Sequence, residues 1–202
     1  EINPETQTFE NDRLKLGKFA NDVVQLSLCE FFTNKKKYGE HASLLLEKWF
    51  VDNKTRMNPN LNYSQCAPGE KIGRSTGTID GYQFVKIIDS IILLQHLGFI
   101  NDLKFRSIKI WFEEFLDWLL TNENPLKEST KTNNHGLYYD LQVIAYSFFC
   151  ERKSLAREMI LKVRNERIPD FIDSNGNMPK ETARSRSFHY QAYTTRAFFD
   201  VH

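Results

Sequence analysis

The chain has 202 residues, of which 41% are hydrophobic and 13% aromatic, so it can bury one sizeable core and predicts a single domain over residues 1–202. Its 27 Lys and Arg nearly balance its 26 Asp and Glu, and a formal charge of +1 excludes a strong overall field that would attract nucleic acid or an anionic membrane. No apolar run reaches the roughly 18 residues typical of a membrane span. We therefore expect partners other than nucleic acid or membrane.

Apolar residues recur at helical spacing in most long segments, as in Ile108, Trp111, Phe112, Phe115 and Leu119. This pattern predicts an all-α fold with helices at about 12–33, 40–52, 79–97, 103–121, 136–150, 154–165 and 188 to the C-terminus. Short turns at 33–39 and 98–102 alternate with long polar loops at 54–78 and 122–134. Such alternation is typical of antiparallel helical hairpins whose long loops gather on one functional face. Segment 79–97 is apolar nearly all round, which indicates an inner helix.

The three cysteines, Cys29, Cys66 and Cys150, lie far apart and form no C-x-x-C pair. This spacing disfavours a zinc site and a dense disulfide framework, although one pair could still be bridged. No cluster of His, Cys, Asp and Glu has the spacing of a metal site. The sequence predicts neither a metal nor a cofactor.

A first polar cluster, at residues 57–65, is rich in amides and lacks charge. Asn60, Asn62, Tyr63 and Gln65 are candidates for hydrogen bonds to sugar hydroxyls, and the flanking Arg56 and Arg74 could meet a carboxylate. The alternative is that Asn and Pro simply form turns here.

A second cluster, at residues 132–142, opens a predicted helix that soon becomes apolar. The N-terminus of a helix has free amide donors that suit an anion, so Asn134 and His135, with Tyr138 and Tyr139 close behind them, are candidate site residues. The alternative is an ordinary Asn cap with a His that satisfies the backbone.

A third cluster, at residues 181–193, combines guanidinium, imidazole and phenol groups before the last helix. Its candidates are Arg184, Arg186, His189 and Tyr190, since Arg beside Tyr favours phenolate. The alternative is a surface turn in which Glu181 pairs with one of the two arginines.

These groups suit an elimination better than a hydrolysis, because no isolated pair of carboxylates stands out as a two-acid glycosidase requires. Cleavage of a 4-linked uronate by elimination needs its carboxylate neutralised, a base for the C5 proton and an acid for the glycosidic oxygen. Asn134 and His135 could neutralise the carboxylate, and a tyrosine could serve as both base and acid.

The three clusters, in this order, resemble the alginate lyase domain family from about residue 19 to 199. The resemblance is carried by Trp49-Phe50, Thr55-Arg56-Met57-Asn58-Pro59-Asn60-Leu61-Asn62-Tyr63-Ser64-Gln65, Gly73-Arg74-Ser75-Thr76-Gly77-Thr78-Ile79-Asp80, Asn133-Asn134-His135-Gly136, Tyr139-Asp140, Gln142, Glu181, Ala183-Arg184 and Tyr190. It implies a partial lyase domain, incomplete at one or both ends and folded as an incomplete (α/α) toroid of antiparallel helical hairpins.

The same resemblance implies a cleft for an acidic polysaccharide, alginate or a related polyuronate, cut by β-elimination without a cofactor. Asn134 and His135 would then neutralise the uronate carboxylate, and Tyr190 would transfer protons. Arg184 would position the substrate or favour the phenolate form of the tyrosine. A periplasmic or secreted location is implied too, although the sequence shows no signal peptide.

Two other functions fit the same residues. One is a glycoside hydrolase on a helical toroid, with Asp140 and Glu181 as its acids. The other is a protein that binds acidic polysaccharide without cutting it. Product chemistry separates them, because only a lyase leaves an unsaturated, ultraviolet-absorbing sugar.

Overall fold

The structure, a computed structural model, describes residues 12–66 and 69–201, and these residues form helices and loops without a strand. The α-helices are α1 (Asp12–Thr33), α2 (Lys36–Leu46), α3 (Tyr82–Val85), α4 (Ile88–His96), α5 (Asp102–Thr121), α6 (Glu123–Ser129), α7 (Asn134–Phe149), α8 (Lys153–Lys162), α9 (Ile168–Phe171), α10 (Pro179–Thr182) and α11 (Ser187–Val201). A 3₁₀ helix covers Ser75–Gly81, and π-helical turns at Glu47–Val51 and Val163–Arg167 follow α2 and α8. The all-α prediction is confirmed.

Most predicted helices appear within a few residues of their expected bounds, but the inner helix predicted at 79–97 is wrong as one continuous element. It is split into the 3₁₀ helix, α3 and α4. Two buried side chains take carbonyls that a continuous α-helix would use: Tyr146 donates to Gly81 O at 2.6 Å and Gln142 to Thr78 O at 3.2 Å. These bonds hold the segment in its tighter turn.

Two compact units divide the chain. The first comprises the described parts of residues 2–59 and 83–115. Its core is aromatic, with Phe50, Phe84, Trp111 and Phe112 in mutual ring contact. The Trp111 indole also donates to Met57 O at 2.7 Å, which ties down the start of the 57–65 cluster. None of the described helices has the length and apolar character needed to cross a membrane.

The second unit comprises the described parts of residues 60–82 and 116–202, and it is organised around α7. This helix packs against α6, α8 and α11 and against the 3₁₀ helix, so it is buried nearly all round. The apolar run Leu137 to Tyr146 accounts for that burial. The N-terminus of α7 therefore lies among α6, α10 and α11, the elements that carry the remaining polar side chains. The prediction of a single domain stays a prediction.

Candidate functional site

The first turn of α7 holds the Asn-His pair. Asn133 is the N-cap, and its side chain accepts from the His135 amide at 3.2 Å. Asn134 is the first residue of the helix and is buried. The predicted cap and the predicted site are both present, because Asn133 forms the cap and leaves Asn134 for other contacts.

A carboxylate of the chain itself occupies the N-terminus of α7. Glu181, 1% exposed in α10, accepts from the backbone N of Asn134 at 2.8 Å and from its Nδ2 at 3.1 and 3.0 Å. The helix end does bind an anion, as its amide donors and dipole favour, but that anion is Glu181. The Asn134 side-chain amide has two N–H donors, and its Nδ2 lies within hydrogen-bond distance of both Glu181 oxygens.

Glu181 also joins this helix end to the Arg-Tyr pair. Its Oε2 lies 3.5 Å from Nη1 of Arg184, whose guanidinium carbon is 3.3 Å from the centre of the Tyr190 ring. The cation covers the face of the ring and leaves the phenol hydroxyl at the edge. Asn134, Glu181, Arg184 and Tyr190 thus form one chain of contacts, although 56 positions separate the first from the last.

His135 faces a second buried acid. Its Nδ1 contacts Oε1 of Glu128, in the last turn of α6, and the Glu128 side chain is 1% exposed. The His135 side chain is 22% exposed, so the imidazole reaches from the buried acid towards solvent. Two glutamates therefore lie behind the Asn-His pair, one behind each residue.

An ion-paired clamp fixes the loop that leads into α7. Arg167 donates to Asp140 Oδ2 at 2.6 Å, to Lys131 O at 2.7 Å and to Ser129 O at 2.6 Å. Lys162 adds a second cation to Asp140, at 3.0 Å. The guanidinium thereby holds the end of α6 and the start of α7 together, and with them Glu128 and His135.

The described part of loop 60–77 is held in place by side chains of the same unit. The Trp118 indole donates to Asn62 Oδ1 at 2.8 Å, and Ser64 donates to Asp80 at 2.7 Å. Asn124 of α6 donates to Gly73 O at 3.2 Å, which attaches this loop to the helix that carries Glu128. Only glycine fits at position 73, because a Cβ there would lie 2.5 Å from the Ser64 carbonyl oxygen.

The comparisons with known proteins agree with this architecture. The family model described as alginate lyase matches residues 1–201. The chain belongs to the alginate lyase family. A solved alginate lyase from Bacteroides ovatus is 33% identical and superposes with a TM-score of 0.93 over 98% of this chain. The match covers 52% of that protein, so this chain spans about half of its length. No match was found among curated proteins.

The likeness to that solved alginate lyase confirms the all-α fold class, that of the helical-toroid lyases, which the family resemblance implied. The predicted site residues of this family member do not all lie in one place. Asn134, His135, Arg184 and Tyr190, which were predicted to be catalytic, gather around the N-terminus of α7. Their roles stay predictions.

Tyr138 and Tyr139 do not fit their predicted role in substrate binding. Both are buried, and their hydroxyls donate to backbone carbonyls, Tyr138 to Tyr193 O at 3.0 Å and Tyr139 to Leu119 O at 3.2 Å. Burial raises the pKa of Tyr139 to about 12 and lifts the pKa of Tyr138 well above its usual range. Neither phenol can therefore serve as a base near neutral pH, and both belong to the core of the unit.

The remaining predicted binding residues lie at several places. Tyr63 and Gln65 are exposed on the 60–66 loop, where Gln65 Oε1 accepts from Thr76 at 2.9 Å. The side chains of Asn60 and Asn62 are engaged within the protein. Asn60 Oδ1 accepts from the backbone N of Asn62, and Asn62 Oδ1 accepts from the Trp118 indole. Those two amides support the loop, which makes them weaker candidates for ligand contacts.

The charged candidates also differ in their surroundings. Arg74 is exposed and pairs with Glu70 at 3.3 Å. Arg186 is exposed, and the exposed His189 ring lies 5.4 Å from the Tyr190 ring. Arg56 is exposed in the other unit. These four residues stay predictions.

Two acids proposed for a hydrolase are unsuited to that role. Asp140 is fully buried and is held by Arg167 and Lys162, so it cannot deliver a proton to a sugar. Glu181 is committed to Asn134 and Arg184. Only the second acid touches the candidate site, and a two-acid hydrolase needs both.

The sequence analysis missed Glu128 and Arg167. Glu128 fell in a predicted loop at 122–134, where the structure has α6. Its signal was present, because Asn122 is an N-cap followed by Glu123 and Pro125 in the first turn, a combination typical of a helix start. Arg167 carried no such signal, since nothing local distinguishes it from its neighbours Arg164 and Lys162.

Proposed function

We propose that this chain forms the substrate-cleft part of a polysaccharide lyase that cuts alginate or a related 4-linked polyuronate by β-elimination. Membership of the alginate lyase family supports the proposal, as does the likeness to a solved protein named as an alginate lyase. The proposal includes a periplasmic or secreted location, where a cell meets extracellular polymers.

The reaction breaks the C5–H and C4–O bonds of the uronate and forms a C4=C5 double bond. The C5 proton goes to a base, and the glycosidic oxygen leaves with a proton from an acid. The C5 proton becomes acidic enough only when the adjacent carboxylate is neutralised by hydrogen bonds or positive charge. In this proposal Asn134 and Arg184 receive that carboxylate, and Tyr190 and His135 handle the protons. His135, which was expected from the sequence to neutralise the carboxylate, is given this other role because its Nδ1 faces the buried Glu128.

The observation that carries the proposal is the contact chain from Asn134 through Glu181 and Arg184 to Tyr190. The chain brings an amide, a guanidinium and a phenol to one place, next to an imidazole. Arg184 and Tyr190 are partly exposed, whereas Asn134 and Glu181 are buried beneath them. A cation and a phenol at the surface of a buried acid–amide pair suit an anionic sugar better than a neutral one.

The test is Tyr190→Phe in the full-length protein, followed by ultraviolet absorbance of the unsaturated product on alginate blocks and on glucuronan. Loss of a group that acts as base and acid should lower kcat by about 10²- to 10⁴-fold with little change in binding. Tyr38→Phe, a phenol in the other unit, is the matched control and should retain full activity.

Three outcomes would contradict the proposal. Unchanged cleavage by Tyr190→Phe would remove the tyrosine from the mechanism. Shortened polymer without an ultraviolet signal would indicate hydrolysis. Polymer that is bound by the wild type and never cut would indicate a binding protein.

A further inference from the structure

The side chain of Glu128 has one polar contact in the described parts of the chain, and that contact is Nδ1 of His135. It is 1% exposed, and no Lys or Arg in residues 12–66 and 69–201 lies within ion-pair distance of it. By comparison, Asp140 in the same unit has two cations and Glu181 has an amide, a backbone N–H and a guanidinium. Glu128 is thus a buried acid whose polar surroundings consist of one imidazole.

This arrangement determines where a proton must lie. An ionised carboxylate can only accept, and a buried one without a donor is strongly destabilising. With Glu128 ionised, Nδ1 of His135 carries the hydrogen that meets it, whereas a protonated Glu128 would donate to Nδ1 and leave the imidazole hydrogen on Nε2. A neutral imidazole has a single N–H, so once that hydrogen is on Nδ1 the other nitrogen, Nε2, holds a lone pair.

We propose that Glu128 is a positioning residue that fixes the Nδ1–H tautomer of His135 and presents the Nε2 lone pair to the sugar. This inference rests on the proposed lyase function and adds to it a division of labour. A neutral His135 accepts at Nε2, so the uronate carboxylate, itself an acceptor, is left to the donors of Asn134 and Arg184. Glu128 touches neither the substrate nor the reacting atoms and acts through the imidazole.

The backbone around the pair supports a fixed orientation. Lys131 N donates to Glu128 O at 3.1 Å, and Arg167 binds the carbonyls on both sides of the connecting turn, Ser129 O and Lys131 O. On the other side, the His135 amide is held by the Asn133 side chain. These bonds hold the backbone of both residues in place, so the two side chains meet from fixed positions in the fold.

The first test reads the tautomer without any substrate. Nitrogen-15 NMR of the His135 ring, at a pH where it is neutral and with its signals assigned by their loss in His135→Gln, should show the hydrogen on Nδ1. Glu128→Leu removes the acceptor and should return the ring to the mixed tautomers of an unconstrained imidazole. Glu128→Gln, whose amide can donate as well as accept, should also lower the Nδ1–H share and covers the case in which the leucine variant fails to fold.

The second test is kinetic. Loss of the side chain that orients a functional histidine typically lowers activity by about 10- to 100-fold, and we expect Glu128→Gln to lower kcat by that factor with KM nearly unchanged. Glu123→Gln changes an exposed acid on the same helix, paired with Lys127, and should leave kcat as it is. Thermal unfolding of each variant separates a loss of folded protein from a loss of turnover.

A hydrogen on Nε2 in the wild type, or an unchanged tautomer in both Glu128 variants, would overturn the inference. So would a kcat fall in Glu128→Gln no larger than that in Glu123→Gln. Failure of the lyase proposal shows separately, because the NMR result requires no turnover. If the wild-type protein showed Nδ1–H but no elimination activity, the tautomer assignment would stand and its role in catalysis would be ruled out.

Discussion

Two groups of buried acids flank the first turns of α7, and they differ in what balances their charge. Asp140 is 0% exposed and meets two cations, Arg167 and Lys162. Glu128 and Glu181, although equally buried, meet groups that reach solvent, namely His135 and Arg184 with side-chain exposures of 22% and 34%. Arg167, with a side-chain exposure of 8%, anchors Asp140 in the interior and Lys162, at 29%, adds a cation from the surface, whereas His135 and Arg184 connect the two glutamates to the surface without such a buried cation.

This difference separates stability from chemistry. A sealed ion pair contributes rigidity, and removing one partner leaves an unpaired buried charge. An acid whose partner is partly exposed directs the orientation of that partner, which can then contact a ligand. We therefore expect substitutions in the Asp140 group to affect unfolding and substitutions in the glutamate group to affect turnover.

The largest effect is expected for Arg167→Met. It removes the more buried of the two cations that Asp140 contacts, together with the donors to Ser129 O and Lys131 O, so the free energy of unfolding should fall by about 3–5 kcal/mol, measured by chemical denaturation. Arg164→Met, at an exposed site in the same π-helical segment, is the control and should stay within about 0.5 kcal/mol of wild type. Equal effects in the two variants would show that the Arg167–Asp140 contact does not stabilise the fold.

Gly136→Ala should have the second-largest effect on stability, because it disturbs the contact between the Arg167 loop and the first turn of α7. A Cβ at this position would lie 2.0 Å from Lys131 O and 3.0 Å from the Arg167 guanidinium, so the loop must move. Overpacking of this kind costs about 1–3 kcal/mol. Unfolding experiments and the elimination assay should both show a loss.

Gly17→Ala is the control for that substitution. Gly17 lies in α1 and nothing is within 4 Å of a Cβ there, so Ala should stabilise the helix by about 0.5–1 kcal/mol. A neutral result at Gly136 would contradict the tight approach of the Lys131 carbonyl.

The sequence located most of the long helices and named four side chains that gather at α7, but it missed α6 and the break in the predicted inner helix. The 3.6-residue period located α1 to the residue, and the order of the polar clusters predicted which side chains gather at α7. It was insufficient for the buried acids, because Glu128, Asp140 and Glu181 are charged residues that composition places at the surface. Their burial depends on partners 7 to 47 positions away, which periodicity does not report.

Tyr138 and Tyr139 show the same limit from the other side. Polar density near the Asn-His pair suggested ligand contacts, yet both phenols point into the core and donate to carbonyls of distant residues. Near the start of a helix that is buried all round, side chains at every angle are enclosed. In the first turn, His135 keeps a path to solvent, with a side chain that is 22% exposed.

Glu181→Gln should have a smaller effect on stability than the Arg167 change and a clear effect on turnover. Hydrogen bonds to a charged acceptor are stronger than those to a neutral one, and the new NH₂ group would face a donor of Asn134 or Arg184, so we expect a cost of about 1–2 kcal/mol. Turnover should fall further than stability implies, because Gln keeps a single acceptor oxygen and no longer joins Asn134 to Arg184. A fall in stability with full kcat would place Glu181 with Asp140 as an anchor.

The smallest effect on stability is expected for Arg184→Lys, and this makes it the sharpest test of the comparison. A partly exposed guanidinium over a ring contributes about 0.5–1 kcal/mol, and its 3.5 Å contact with Glu181 adds little. Lysine keeps the charge but lacks the planar group that covers Tyr190 and contacts Glu181 together, so kcat should fall at least 10-fold while unfolding stays within about 1 kcal/mol. Lys180 lies four positions before Arg184 and forms an exposed ion pair with Asp170. Lys180→Met removes that pair and should change neither quantity measurably. If the two variants behaved alike, the guanidinium would be an ordinary surface charge, and the path from the buried glutamate to the phenol would have no role in turnover.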